Sequence, residues 1–284
     1  MDHLDSCLLC GCSAGSAKKY YSRVDHDLVL CPNCKLIYAN PQYTSQELVE
    51  IYKQLYYNED NTFKRDNRIV EQNHNSILYS TTLRDLIKRH PQLRNNPKTS
   101  IKNRVLDYGC GPGYFLNECR KFGFEVIGIE FSEYAAKYAQ EKLDLDVRID
   151  PDSALNNLPD NYFQLITAWS VLEHTRHPKE VLAKLIAKLT PDGILCLTVP
   201  NLACWRHFLE HNKWFNITNP THLVFFNWRN LKGLLTEMEM KRIIRPKFWG
   251  GRPGFNFFAN LIQYFVRLTG FGSDLRIYSQ RCEK

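Results

Sequence analysis

The stretch VLDYGCGPGYFLNECRKFGFEVIGIE, residues 105–130, sets three glycines, Gly109, Gly111 and Gly113, directly after an apolar run and ends a second apolar run on Glu130. Val105-Leu106-Asp107 reads as the end of a buried parallel strand, 114–122 as a helix closed by Gly123, and 125–129 as a second strand. Strand, glycine turn, helix and strand make one βαβ unit of a doubly wound α/β sheet, in which a ligand lies over the carboxyl ends of the strands. Two features weigh against a dinucleotide. A G-x-G-x-x-G fingerprint counted from Gly109 meets Tyr114 at its sixth position, too bulky beneath a pyrophosphate. Asp107, just ahead of the turn, is a poor neighbour for phosphate but suits the cationic amino group of an amino acid.

The pattern D-x-G-C-G-x-G after a strand, with an acid closing the next strand, resembles the class I S-adenosylmethionine-dependent methyltransferases. The resemblance implies a Rossmann-like, seven-stranded doubly wound sheet. It also implies that Gly109, Gly111 and Gly113 let the backbone approach the methionyl part of the cofactor, that Asp107 orders its ammonium group, and that Glu130 accepts from both ribose hydroxyls. The likeness continues downstream. Residues 158–174 resemble the family's fourth strand and following loop, with Gln164 where an aspartate is usual, and 178–189 form an amphipathic helix. Residues 191–201 resemble the fifth strand with its glycine turn, 227–238 the next helix, 241–245 the sixth strand and 275–282 an antiparallel seventh.

Ahead of this core, Cys7-Leu8-Leu9-Cys10 and Cys31-Pro32-Asn33-Cys34 form two CxxC pairs twenty residues apart, spacing that lets a hairpin close a tetrahedral zinc site. Gly11 and Pro32 supply the tight turns. A segment this short has little apolar core, so the metal would contribute most of its folding free energy. Four thiolates leave zinc no open position, which makes Cys7, Cys10, Cys31 and Cys34 a structural set; Cys12 could replace Cys10, but CxxC geometry is the commoner one.

Methyl transfer from a sulfonium asks the protein to hold nucleophile and methyl in line and, for an oxygen or carbon acceptor, to take a proton. Histidine suits that task near neutral pH. His174 follows strand four and His222 follows strand five, in a Trp214…Pro220-x-His222 context that lines the acceptor pocket in related methyltransferases. Trp169 and Trp214 are candidate pocket walls, Trp169 on the cofactor side. The Glu173-His174 pair also resembles the loop of ubiquinone-pathway O-methyltransferases, where a carboxylate three positions before the Glu helps hold a divalent metal. Here that position is Ser170, and no magnesium site is expected; a hydrogen-bonded pair that fixes the loop accounts for Glu173 and His174 equally well.

The rest of the chain bounds the acceptor loosely. Its 284 residues carry a net charge of +7, scattered instead of blocked, which suits an acidic substrate or a membrane surface without being a nucleic-acid signature. DNA and RNA amino-methylating enzymes carry an Asn/Asp-Pro-Pro-aromatic turn after strand four, where this chain has Ala168-Trp169-Ser170-Val171. The ribbon loop offers RNA only Lys18, Lys19 and Arg23. The expected division is a zinc ribbon over 1–41, a helical linker or cofactor lid over 42–100 with helices at 45–55 and 66–89, and a methyltransferase core over 101–284.

An amphipathic insertion at 247–274 interrupts that core; its segment 255–270 either packs on the core or lies in a membrane interface. No stretch reaches transmembrane length, and the acidic start without an apolar run points to a cytoplasmic protein, with the inner membrane face as the alternative location. Ten cysteines there read as thiols or metal ligands. The architecture resembles zinc-containing methyltransferases of bacterial sugar, polysaccharide and secondary-metabolite pathways. That implies S-adenosylmethionine and structural Zn2+, with O- or C-methylation of a small-molecule, glycan or lipid-linked acceptor. The rivals are an RNA methyltransferase that holds its substrate with the ribbon, and a non-catalytic module that binds S-adenosylmethionine.

Overall fold

The computed structural model describes residues 1–56, 76, 78–94, 103–149, 151–210, 213–246 and 272–282. The N-terminal hairpins supply β1 (Lys18–Ser22), β2 (Asp27–Leu30) and β3 (Ile37–Asn40), followed by α1 (Ser45–Tyr56) and α2 (78–89). The core then runs β4 (Arg104–Tyr108), α3 (Tyr114–Lys121), β5 (Glu125–Ile129), α4 (Glu133–Leu143), β6 (Val147–Arg148), α5 (Pro151–Asn156) and β7 (Phe163–Trp169). It continues with α6 (Pro178–Lys188), β8 (Leu189–Pro200), α7 (Trp205–Glu210), α8 (Phe215–Thr218), β9 (Val224–Phe225), α9 (Trp228–Glu237), β10 (Met240–Ile244) and β11 (Asp274–Arg281).

Seven of these strands form one sheet in the order β10-β11-β8-β7-β4-β5-β6. Pairings from β8 to β6 are parallel, while β11 runs antiparallel to both β8 and β10. Because β5 and β6 build outward on one side of β4 and β7 on the other, the strand order reverses between β4 and β7, the place where a doubly wound sheet opens a ligand crevice. Successive residues face opposite ways, so Val105, Leu165 and Ile194 join one apolar cluster and Leu106, Ile166 and Leu195 the other. Helices α2 to α4 cover the first face with Leu83, Leu86, Phe115, Leu116 and Ala136; α5, α6 and α9 cover the second with Leu155, Leu182, Leu185 and Leu231. Burial on both faces is why these strands read as nearly unbroken apolar runs.

The expected strands and helices fall within a residue or two of those observed. Asn227 caps α9 by accepting from the Asn230 N–H at 2.9 Å while the Asn230 side chain accepts from the Asn227 N–H at 2.9 Å. Gln164, in the place of the usual aspartate, accepts from the Arg104 N–H at 2.7 Å and ties β7 to the start of β4. The Pro191-Asp192-Gly193 turn lies inside β8, where Asp192 takes φ +63° and the register against β7 slips. The helix expected at 66–89 is described at residue 76 and from 78, and the amphipathic segment 255–270 lies outside the described residues.

The ribbon's three strands form a second sheet whose fourth member is β9, from far downstream (order β1-β2-β3-β9). Ile37 pairs with Phe225 and Tyr38 with Val224, both antiparallel. Leu28, Leu36 and Tyr38 of the ribbon belong to the same apolar cluster as Leu106 and Ile166 of the large sheet. Ribbon and core therefore share a strand and an interior.

Candidate functional site

The three glycines do different things. Each has a positive φ, +75° at Gly109, +54° at Gly111 and +79° at Gly113, a backbone region that favours glycine. A Cβ at Gly109 would lie 2.5 Å from a Val171 methyl, and one at Gly113 would lie 2.6 Å from Leu145 Cδ1 and 3.1 Å from Ala139 Cβ. Gly111 alone would meet nothing within 4 Å. Two glycines thus serve packing, and one keeps the loop bare toward open space.

The loop's amides are also already engaged. The Gly109 and Cys110 N–H groups donate to the Ile129 carbonyl, the Gly113 N–H to the Cys110 carbonyl, and Pro112 has none to give. The Gly111 N–H donates to Glu130 Oε2 at 2.6 Å. The contribution of this turn to a ligand is therefore shape more than amide donors.

Glu130 ends β5 and is 8% exposed. Its Oε1 accepts from the Ser132 N–H at 2.8 Å, and the Phe131 N–H adds a third backbone donor to the carboxylate. Asp107, 1% exposed at the end of β4, accepts from the Thr167 hydroxyl of β7 at 2.6 Å. Burial pushes its carboxyl up to about 8, with the Thr167 hydrogen bond opposing and the Glu130 charge adding to the rise. Glu130 is likewise raised by burial, against the pull of its backbone donors. Two desolvated carboxyls at adjacent strand ends suit a ligand that brings a cation and hydrogen-bond donors.

Trp169 ends β7, half-buried, edge-on to Phe115 at 5.1 Å and under the Arg276 guanidinium at 5.2 Å; its indole N–H is buried and has no partner among the described residues. Trp214, the other candidate wall, is 2% exposed and packs in the core.

The two candidate histidines meet, with ring centroids 4.7 Å apart and planes at 79°. His174 Nδ1–H donates to the Thr221 carbonyl at 3.0 Å, which leaves the lone pair on Nε2. Burial pulls His174 down to about 4 and takes His222 well below its ordinary value, helped there by His174 and the Arg23 charge. Both rings are neutral at physiological pH. Glu173 beside them is fully buried, and burial raises it to about 8 against the pull of its own backbone N–H and the Ser170 hydroxyl. The pair fixes its loop mainly through backbone, the Glu173 carbonyl accepting from the Leu223 N–H at 2.7 Å.

Glu173, His174 and His222 offer donor atoms within 4.8 Å of one another, a set that could hold a divalent ion. Ser170 stands where the resembled loop has its further carboxylate, and no metal was expected; the third member of this cluster is instead His222, from across the chain, a proximity that no local spacing encodes.

In the ribbon, the sulfurs of Cys7, Cys10, Cys31 and Cys34 lie within 4.8 Å of one another, with Cys7–Cys34 at 3.5 Å and Cys10–Cys31 at 3.6 Å. A zinc tetrahedron with Zn–S near 2.3 Å has edges of about 3.8 Å, so the four thiols fit. Cys12 instead contacts the Ser16 hydroxyl, and all ten cysteines are free thiols. Each CxxC knuckle closes with a residue of positive φ, Gly11 at +68° and Lys35 at +61°. Gly11 was legible as a turn; Lys35, a residue type that seldom adopts this conformation, was not.

Comparison with known proteins agrees with this geometry. A family model described as a methyltransferase domain matches residues 75–240, more than half of the chain. The ubiquinone biosynthesis O-methyltransferase of Actinobacillus pleuropneumoniae serotype 5b is 31% identical over 110 residues, covering 34% of this chain and 46% of that protein. The chain thus spans less than half the length of such ubiquinone-pathway relatives. An S-adenosylmethionine-dependent methyltransferase from Archaeoglobus fulgidus superposes with a TM-score of 0.52 at 20% identity, covering 71% of this chain and 94% of that one. The plantazolicin methyltransferase BpumL, solved in complex with SAH, gives 0.53 at 17% identity over 84% and 98% of the two chains. At such identities the structural likeness speaks for the fold alone. By the family match and by its sheet, this chain belongs to the methyltransferase-domain family and has the class I S-adenosylmethionine-dependent methyltransferase fold.

Proposed function

We propose that the protein transfers the methyl group of S-adenosylmethionine to a small-molecule or glycan-type acceptor, most simply at a hydroxyl oxygen. The observation that carries this reading is the convergence of Asp107, Glu130 and the bare turn at Gly111 over the strand-order reversal. Asp107 would order the ammonium group of the cofactor and Glu130 its two ribose hydroxyls, with Trp169 beside them. Bound there, S-adenosylmethionine supplies a sulfonium methyl whose S–C electron pair stays on sulfur as the acceptor oxygen bonds to carbon. His222 or His174, held neutral by burial, accepts the proton that the hydroxyl loses. The test is release of S-adenosylhomocysteine by purified protein against a panel of catechols, nucleotide sugars, polysaccharide fragments and RNA. Turnover with a phenol or sugar supports the reading, and release with RNA alone overturns it.

Binding should carry a proton signature. Without a cation beside it, Asp107 titrates near 8 and is mostly protonated at pH 7; a bound ammonium favours its carboxylate, so the proton leaves. Calorimetry at pH 7 in buffers of different ionisation enthalpy should show release of most of one proton, fading above pH 9. A binding enthalpy independent of buffer would contradict this role for Asp107.

A second reading follows from the Glu173–His174–His222 cluster. Burial keeps Glu173 in its neutral acid form until a cation draws off the proton, and with the two neutral imidazoles it offers three donor atoms to one ion. These three residues would hold the ion, which would polarise an acceptor oxygen, and a nitrogen-rich set suits zinc, iron or nickel better than magnesium. Metal analysis decides: two equivalents per chain, one lost in Glu173→Gln, favours it, and one equivalent unaffected by that change leaves the imidazoles as bases.

The RNA alternative loses ground on the ribbon. Of the three basic residues of its loop, Lys19 pairs with Asp27 at 2.8 Å and Arg23 is turned onto backbone carbonyls of the core. Among the described residues no helix is long and apolar enough to cross a membrane; membrane contact through 255–270, a cytoplasmic location and a lid over 42–100 stay proposals.

A further inference from the structure

The ribbon touches the core where His222 sits. Arg23, in the turn between β1 and β2, donates from Nε to the Ile217 carbonyl at 2.9 Å and from Nη1 to the His222 carbonyl at 2.9 Å. One planar guanidinium therefore bridges the end of α8 and the candidate acceptor-side histidine, a geometry that needs the fixed fork of arginine. Arg23 is itself held from behind. Its Nη1 also donates to His26 Nε2 at 3.0 Å, His26 Nδ1–H donates to Asp25 at 2.9 Å, and the Tyr43 hydroxyl donates to the other Asp25 oxygen.

Immediately after His222 the chain becomes a strand of the ribbon. The Leu223 carbonyl accepts from the Ala39 N–H at 2.8 Å, and Val224 and Phe225 pair with β3. The Leu223 N–H donates the other way, to the Glu173 carbonyl of the loop after β7. A single peptide segment is thus pinned between the ribbon and the strand-end loop, and His222 heads it. A ribbon built to hold substrate would keep its hairpin turn free; here Val24 alone at that turn is fully exposed, while the arginine beside it is spent on the core.

We infer that Arg23, with the β3–β9 pairing, is a positioning device that sets the His222 ring against His174, so that the zinc ribbon serves the acceptor side of the site as its scaffold. This rests on the proposed methyl transfer only for its catalytic consequence; the positioning itself can be read without an acceptor.

The experiment uses the full chain with its ribbon metal in three forms: Arg23→Met, Arg23→Lys and, as a control at the exposed tip, Val24→Lys. Amide hydrogen exchange is followed by mass spectrometry, and the imidazole signals of 15N-histidine protein by NMR. In Arg23→Met, exchange over 217–226 should rise at least tenfold and the His222 ring signals should shift or broaden. Peptides over 105–130, S-adenosylhomocysteine affinity and ribbon metal content should stay within twofold of wild type.

Arg23→Lys, which keeps the charge but cannot bridge both carbonyls, should fall between, and Val24→Lys should match wild type. With an acceptor from the panel, kcat should fall at least tenfold in Arg23→Met with little change in the KM for S-adenosylmethionine. Unchanged exchange and unchanged His222 signals in Arg23→Met overturn the inference, as does a loss of protection spread evenly over ribbon and core. If no acceptor turns over while the exchange and NMR changes appear, the positioning holds and the methyl-transfer reading is what fails.

Discussion

Gly111→Ala should weaken binding of S-adenosylmethionine at least tenfold, about 1.4 kcal/mol, while leaving the fold nearly intact. At φ +54° an L-residue costs roughly 1–2 kcal/mol, and the open space around this position adds no steric penalty in the free protein. The methyl enters the region the ligand is to fill, so affinity falls more than the small stability loss suggests. Gly113→Ala should do the reverse. Its φ of +79° carries the same backbone cost, and the added methyl overlaps Leu145 and Ala139, which brings overpacking of about 1–3 kcal/mol more. For a domain of this size that total lowers Tm by roughly 5–15 °C. Thermal unfolding and ligand titration on both variants check the contrast; equal effects on Tm and affinity at the two glycines would show that the loop is not divided as described.

Removing the ribbon metal should have the largest effect on folding. Structural zinc in comparable small modules contributes on the order of 10 kcal/mol, and the ribbon's buried Leu28, Leu36, Ile37, Tyr38 and Ala39 belong to an interior shared with the core. A strong chelator, or Cys31→Ser, should release one equivalent of zinc and strip exchange protection from residues 7–40. Because β9 is the fourth strand of that sheet, protection at Val224 and Phe225 should go with it, while the β4–β5 loop keeps most of its own. Chelated protein with unchanged exchange over 7–40 would mean the four thiols are not a metal site.

Much of this was legible where physics is local. The glycine turn, the acids at the ends of β4 and β5, the paired CxxC knuckles and the helix capped at Asn227 each depend on residues close in sequence, and each stands where the pattern placed it. What stayed hidden depends on residues brought together by topology. Lys35 adopts its left-handed turn because the Cys31–Cys34 knuckle demands it, not because lysine favours it. β6 is only two residues long, too short for any periodicity to show. Thr167 as the partner of Asp107, Arg23 as the brace of His222, and His222 as the third member of the Glu173 cluster all arise from contacts between distant segments. The separate roles of the glycines likewise needed their neighbours in space.

The central claim is a cofactor pocket built from Asp107, Gly111 and Glu130. Titration calorimetry of the purified full chain with S-adenosylmethionine tests it most directly, alongside Glu130→Lys. A saturable one-to-one isotherm for the wild type, lost in the variant, is the predicted result; no heat with either protein, or the same isotherm with both, would contradict it.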